Sequence, residues 1–265
     1  MHTSRAAGPI RYSFATLLTR HDQYAAMHAS FRAGGFDEGC EWLTIDNSSG
    51  NVATAYDGLN TLLNRAIGDY VVLCHQDLLL IRDGRRELDA RLAELDALDP
   101  AWAVAGNAGA EAPGVLAIRI TDKAGRDQNP GRLPRRVMSL DENFMIVKRS
   151  ARIGFSRDLS GFHFYGADLC LVADIMGYSS YVIDFHLEHL GLAPTGKPFA
   201  DAEAAFRAKW SRALRDRSMQ TTCALVRLSG HGSALGNQVR ELATRRLARL
   251  TRRADKRRAK DRSES

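Results

Sequence analysis

Apolar and polar positions along the first hundred residues alternate between two kinds of run. Tyr70-Val71-Val72-Leu73-Cys74 is unbroken apolar or aromatic sequence, and it stops at His75-Gln76-Asp77. Such a run, with Gly68-Asp69 ahead of it, predicts a strand buried on both faces of a parallel sheet. Tyr12 to Leu18 and Glu41 to Ile45 predict two earlier strands. Between them, Asp22 is the expected N-cap of a helix running through Ala33 and ended by Gly34-Gly35. Asn51 is the expected cap of a second helix. In it, Val52, Ala55, Tyr56, Leu59, Leu62, Leu63 and Ala66 keep a helical period. A β-α-β-α-β order with short connections implies right-handed crossovers and a parallel sheet. Thr19, Asp46 and Asp77 then share one sheet edge. Ligands bind beyond the carboxyl ends of strands in such sheets. Asp77 there either holds a hard divalent cation, and through it a diphosphate, or simply caps the turn.

Further on, Arg85 to Leu98 predicts a surface helix with Leu88, Leu92 and Leu95 inward, stopped by Asp99-Pro100. Ala101 to Ala105, Ala117 to Thr121, Phe144 to Val147 and Tyr181 to Phe185 predict strands. Asp122 to Arg136, rich in Gly, Pro and charge, predicts a long loop. A helix is expected from Leu169 to Met176, opened by Asp168 and closed by Gly177. Asp201 to Arg217 is helical in pattern, and Ser229 to Asn237 is a Gly/Ser break. The expected organisation is an α/β domain over 10–200, a helical extension packed on it over 201–235, and a basic, partly helical or disordered tail over 236–265.

Composition narrows the setting. No apolar run among the 265 residues approaches the ~18–20 that span a bilayer, and Met1 to Pro9 lacks a signal-peptide core. A cytoplasmic chain is expected. Four scattered cysteines with no C-x-x-C pair argue against a zinc site or a disulfide framework. The net charge of +6 is local: 236–265 carries eleven Lys/Arg and four Asp/Glu, so the rest is near −1. The tail reads as a solvated helix or as a contact to an anionic membrane surface, where each basic residue contributes ~1 kcal/mol. That second reading puts the protein at the inner membrane face. Nucleic-acid binding lacks its interleaved aromatics here.

Four pieces then occur in a telling order: Ile45-Asp46-Asn47-Ser48-Ser49; Asn60 in the helix before the buried strand; His75-Gln76-Asp77; and Phe162-His163-Phe164-Tyr165-Gly166-Ala167-Asp168-Leu169, with His189 some twenty residues later. Over about Tyr12 to Pro198 the sequence resembles GT-A-fold, family 2-like glycosyltransferases, in particular the StrF-type domain named after a streptomycin-biosynthesis protein. The resemblance implies a GT-A-like, Rossmann-like, mostly parallel sheet flanked by helices. It implies that Asp46 receives the base or ribose of a nucleotide. Asp77, as the last acid of a D-x-D-like motif, would hold a divalent metal (Mn or Mg) on a donor diphosphate, and His189 would complete the metal site. Asp168 would be the catalytic base. Thr19 at the same edge, with Asn60, Gln76 and Asp141 from the matched stretches, fills out the expected nucleotide-sugar contacts. Two departures stand out. His75 replaces a usual acid, and the usual Glu-Asp pair near the base appears as Tyr165-Gly166.

The chemistry fits those groups. Glycosyl transfer from a nucleotide-diphosphate sugar builds negative charge on the leaving diphosphate, which a cation neutralises. The attacking hydroxyl must lose a proton, and a positioned carboxylate takes it for ~10²–10⁴ in rate. One carboxylate without a second nucleophile predicts inversion. The acceptor is then a hydroxyl of a glycan, a lipid-linked sugar or a small molecule, in surface-glycan or secondary-metabolite synthesis. Two other functions share the pattern. A nucleotide-sugar-binding or scaffold protein that lost the base is one. A nucleotidyltransferase is the other, but it usually carries a Gly-rich basic loop after the first strand, and Leu17-Leu18-Thr19-Arg20-His21-Asp22 has no glycine.

Overall fold

A computed structural model of the chain describes residues 9–129, 131–191, 196–220, 222 and 225–230, with single positions at 239, 242 and 246. Contacts divide the chain into two units, 1–206 and 207–265. The first unit begins β1 (Tyr12–Leu18), α1 (His21–Ala33), β2 (Cys40–Asp46), α2 (Ala55–Arg65), β3 (Tyr70–Cys74), β4 (Leu78–Leu80), α3 (Arg85–Leu98) and β5 (Trp102–Gly106). It continues through β6 (Ala108–Ala112), β7 (Val115–Ile118), β8 (Ile120–Asp122), β9 (Asp127–Gln128), β10 (Arg135–Val137), β11 (Ser139–Leu140) and β12 (Phe144–Lys148). Then come α4 (Tyr165–Ile175), β13 (Ser179–Val182) and β14 (Leu187–His189), followed by α5 (Lys197–Ala213), which runs across the division. Within the second unit, β15 (Arg217–Gln220) and β16 (Leu225–Leu228) form an antiparallel hairpin.

The main sheet has seven strands in the order β10-β13-β5-β12-β3-β1-β2. β1, β2, β3, β5 and β13 run one way, while β12 and β10 run against them. The unbroken apolar character of β3 has a simple cause. Tyr70, Val72 and Cys74 face one core, with Met27 and Phe31 of α1 and Leu88, Leu92 and Leu95 of α3. Val71 and Leu73 face the other, with Tyr56, Leu59 and Leu62 of α2 and Leu169, Cys170 and Ala173 of α4. Period-two alternation thus serves two buried faces. Phe14 stacks on Trp42 at 4.2 Å and meets Phe31 and Phe36 edge-on, which fixes α1 against β1 and β2.

Several expectations need correction. Asp22 is not the cap of α1. The extended residue before the helix is Arg20, and Asp22 lies in the first turn and takes an ion pair from Arg20 at 2.7 Å. Asn51 does not cap α2 either. Thr54 does, while the Asn47 carboxamide accepts from Val52 and Ala53 and so folds the loop ahead of it. Val52 is 77% exposed and outside the apolar stripe. The Ala117–Thr121 strand is two strands that part at Arg119, whose guanidinium donates to Asp184 and Asp127. Residues 122–136 are not all loop: Arg135 starts β10, which completes the edge of the main sheet. The helix expected to start after Asp168 starts at Tyr165 and has Asp168 inside its first turn. Among the described residues of 201–235, the helix runs to Ala213 and a hairpin joins Arg217–Gln220 to Leu225–Leu228. The expected 229–237 break and the 236–265 tail lie outside the described residues, apart from isolated positions. No helix among the described residues is long and apolar enough to cross a membrane.

Candidate metal centre

β3 ends where its polar tail begins. The His75 N–H donates to the Asn143 carbonyl at 2.9 Å, so the chain leaves β3 next to β12. Three residues on, β4 pairs antiparallel with β14, and Leu78 lies opposite His189. The Leu190 N–H closes this junction on the Asp77 carbonyl at 3.0 Å. Sheet pairing thus brings His189 over Asp77 from more than a hundred residues away. His189 Nε2 lies 3.6 Å from the Asp77 carboxylate and His75 Nδ1 lies 3.9 Å from it. The three ligand atoms all fall within 4.8 Å of one another. The Asp77 and His189 side chains keep 16% and 22% of their surface exposed, so the cluster opens to solvent at its rim.

Electrostatics suits the arrangement. Burial lowers the His75 pKa, which keeps its imidazole neutral and its Nδ1 lone pair available. Its other nitrogen, Nε2, is 2.9 Å from the Tyr165 hydroxyl, which fixes the ring. Burial opposes ionisation of Asp77, but hydrogen bonding and charge from His189 and charge from His75 outweigh it and lower the carboxyl pKa. Burial also opposes charging of His189, and Asp77 overrides it, so that His189 is raised. Two groups sharing an ion at ~2.1 Å lie at most ~4.2 Å apart, so 3.6 and 3.9 Å accommodate one with small side-chain movement. Two imidazoles and one carboxylate are a mixed donor set, and the imidazoles favour a first-row transition ion over Mg²⁺.

Gly191 makes room for this centre. A Cβ there would run into the Asp77 carboxylate and stand 2.9 Å from His189 Nε2. Gly191→Ala should therefore leave the circular dichroism spectrum intact and weaken Mn²⁺ binding by roughly 10–100-fold, as measured by electron paramagnetic resonance titration. Unchanged Mn²⁺ affinity would separate Gly191 from the centre.

The expected site residues divide into two groups. Thr19, Asp46, Gln76 and Asp141 lie with Asp77 and His189 at the carboxyl edge. Gln76 is committed there to internal bonds: its carbonyl accepts from the Thr19 and Arg20 N–H groups at 2.8 Å, and its amide nitrogen donates to Thr19 and Gln23. It staples the loop after β1 to the end of β3. Asp46 accepts from the Ser48 N–H and lies 3.3 Å from His21 Nε2. Asp141 accepts from the backbone and side chain of Asn143. Asn60 belongs to the second group. It sits mid-helix, its amide donating to the Phe155 carbonyl and its carbonyl accepting from the Phe155 N–H, both at 2.9 Å. Asp168 belongs to this group too: it is fully buried, and its carboxylate accepts from the N–H and hydroxyl of Ser156. Asp168 thus has no exposed surface at this position.

Sequence reasoning did not take His75 as a ligand, although its place two residues before Asp77 was the available signal. Gly191 gave no signal, because its role depends on the β4–β14 pairing. Beside Asp77 lies a cleft of about 170 Å³, lined by Asp22, Gln23, Ala26, Gln76, Leu79 and Leu190. A larger cleft of about 430 Å³ lies at the opposite end of β3, and its Lys148 and Asp96 are paired at 2.7 Å. It is remote from the titratable cluster.

No family model matches the sequence. Among solved structures, the chain is similar to the mannosyltransferase PcManGT from Pyrobaculum calidifontis, determined in complex with GDP-Man and Mn²⁺. The TM-score is 0.50 at 15% identity, over 77% of this chain and 64% of that one. S. aureus TarS 1-349, determined in complex with UDP-GlcNAc, gives 0.47 at 11% identity, over 77% and 67%. The likeness is one of fold, and the fold is the GT-A-like α/β fold of glycosyltransferases. In sequence, the chain is 35% identical over 228 residues to a Fuscovulum blasticum protein named "ATP synthase subunits region ORF 6", a name that states a location and no activity. Since the match takes in 83% of this chain and 92% of that protein, the chain belongs to the same family as the ORF 6 protein.

Proposed function

We propose that this protein is a StrF-type glycosyltransferase that moves a sugar from a nucleotide-diphosphate donor to a hydroxyl acceptor. The observation that carries the proposal is the His75–Asp77–His189 cluster at the carboxyl edge of a GT-A-like sheet. In this reading, Asp77, His75 and His189 hold a divalent ion, and Mn²⁺, which accompanies GDP-Man in the mannosyltransferase, is the first to try. Such an ion, when bound, neutralises charge on a departing diphosphate. The chain's own residues do the rest. Gln76 holds the loop after β1 so that Thr19 and Asp46 face the nucleoside end. Asp141, pinned by Asn143, presents a carboxylate to sugar hydroxyls. The mannosyltransferase and TarS neighbours, which bind GDP-Man and UDP-GlcNAc, make those two sugars the natural first donors to try. The acceptor hydroxyl belongs to a glycan, a lipid-linked sugar or a small molecule, and the basic tail would bring the cytoplasmic protein to an anionic membrane surface.

One observation favours a second reading, a nucleotide-sugar-binding protein without transfer activity: Asp168 is closed to solvent. Release of nucleoside diphosphate from GDP-mannose or UDP-N-acetylglucosamine separates the two. Transfer predicts Mn²⁺-dependent release that EDTA stops. Binding of either sugar with no release under any condition would favour the second reading. Analysis of the product anomer by NMR then tests inversion.

A further inference from the structure

We infer that Glu142, on the loop between β11 and β12, takes the proton from the attacking hydroxyl. This rests on the transfer reading above. The starting observation is an exchange of space at the start of α4. A side chain at position 166 has nowhere to go: its Cβ would strike the Leu140 carbonyl oxygen and stand 3.2 Å from Glu142 Cγ. That place is filled by the side chain of Glu142. Its Oε1 accepts from the Gly166 N–H at 3.2 Å, at the positive end of the helix. Phe164, just before α4, has a left-handed backbone with φ 64°, which turns the chain so that the backbone N–H groups of Phe164, Tyr165 and Gly166 act together on this carboxylate.

Oε1 is the oxygen that the Gly166 N–H holds, and Glu142 keeps part of its surface exposed, whereas Asp168 keeps none. An anchored carboxylate at a part-exposed residue is the form a general base needs. It also lies beside the candidate metal centre. The Tyr165 hydroxyl donates to the Glu142 carbonyl at 3.3 Å and stands 2.9 Å from His75 Nε2. The titratable groups acting on Glu142 are Asp141 on its own loop, Tyr165 on α4 and Tyr56 on α2, none of them cationic. Burial, with charge from Asp141, pushes its carboxyl up to about 8 against the pull of the helix N–H groups.

The step balances. The acceptor oxygen bonds to the anomeric carbon, and the bond from that carbon to the diphosphate oxygen breaks. The electron pair of the broken bond leaves on the diphosphate, and the hydroxyl proton passes to the Glu142 carboxylate.

The alternative is that Glu142 only caps α4, and the experiment separates the two. Nucleoside diphosphate release from GDP-mannose and UDP-N-acetylglucosamine with Mn²⁺ is followed for wild type, Glu142→Gln and Glu142→Ala. The base role predicts a ~10²–10⁴-fold slower Glu142→Gln, with the thermal shift from Mn²⁺ and nucleotide sugar retained. It predicts partial rescue of Glu142→Ala by formate, which a lost cap would not show. The wild-type rate should rise with pH through about 8. Independently of activity, infrared difference spectra should show a carboxylic acid band that titrates in the same range and is missing in Glu142→Gln. A working wild type with a flat rate profile from about pH 6 to 9, or a Glu142→Gln variant at wild-type rate, overturns the inference. A wild type that releases nothing from either sugar overturns the transfer reading itself, and this inference with it.

Discussion

Asp77→Ala will lose Mn²⁺ affinity by at least ~10²-fold in electron paramagnetic resonance titration, because the cluster then has two imidazoles and no carboxylate to neutralise the ion's charge. The variant will also reveal the coupling at the centre. Asp77 raises His189, so removing it lets the pKa of that imidazole fall. Linkage sets the pH window for the metal-free protein. Asp77, whose carboxyl is lowered by folding, stabilises above its unfolded pKa of ~3.9, and this is lost as pH falls through the folded value. His189, raised by folding, stabilises below its unfolded pKa of ~6.5, and this is lost as pH rises through the folded value. The pair therefore helps most between about pH 4 and 6.5, and the cost of Asp77→Ala to the metal-free protein, ~1 kcal/mol, should be greatest there. Wild-type Mn²⁺ affinity in the variant would remove Asp77 from the centre.

Asp168→Ala will lower stability by ~3 kcal/mol, since it removes a buried carboxylate that accepts from both the N–H and the hydroxyl of the half-buried Ser156. For a domain of this size that is a fall of ~6–12 °C in Tm. Asp168→Asn keeps an acceptor for the Ser156 N–H and should lose only ~1 kcal/mol, with turnover per folded molecule within a few-fold of wild type. This contrast sets Asp168 apart from Glu142. A wild-type Tm for Asp168→Asn coupled to a hundredfold loss of rate would return the base to Asp168.

The same two residues show how far the sequence could be read. β1, α3 and the buried run of β3 were legible because their apolar spacing depends only on which side of the sheet each residue faces. The carboxyl edge followed from the order of strands. The β4–β14 pairing was not legible. Three-residue strands carry no period, so their meeting is decided by the rest of the fold, and with it the approach of His189 to Asp77 and the need for Gly191. The antiparallel course of β12 was hidden for a similar reason, since a strand buried on both faces reads the same in either direction. Asp168 looked like a helix-opening acid because Phe164 enters α4 through a left-handed turn that no residue-type rule predicts for phenylalanine. Once the helix starts at Tyr165, Asp168 turns into the core and Glu142 stands at the helix end.

The most direct test of the nucleotide-sugar reading is the thermal shift of the wild-type protein against nucleoside diphosphates and nucleotide sugars, each with and without Mn²⁺. A donor well above its Kd stabilises by ~2–4 kcal/mol. The predicted result is a Tm rise with one nucleotide and its sugar, present with Mn²⁺ and absent after EDTA. A Tm that does not move with any nucleotide, with or without the ion, would contradict a donor site at the His75–Asp77–His189 edge and leave only the fold.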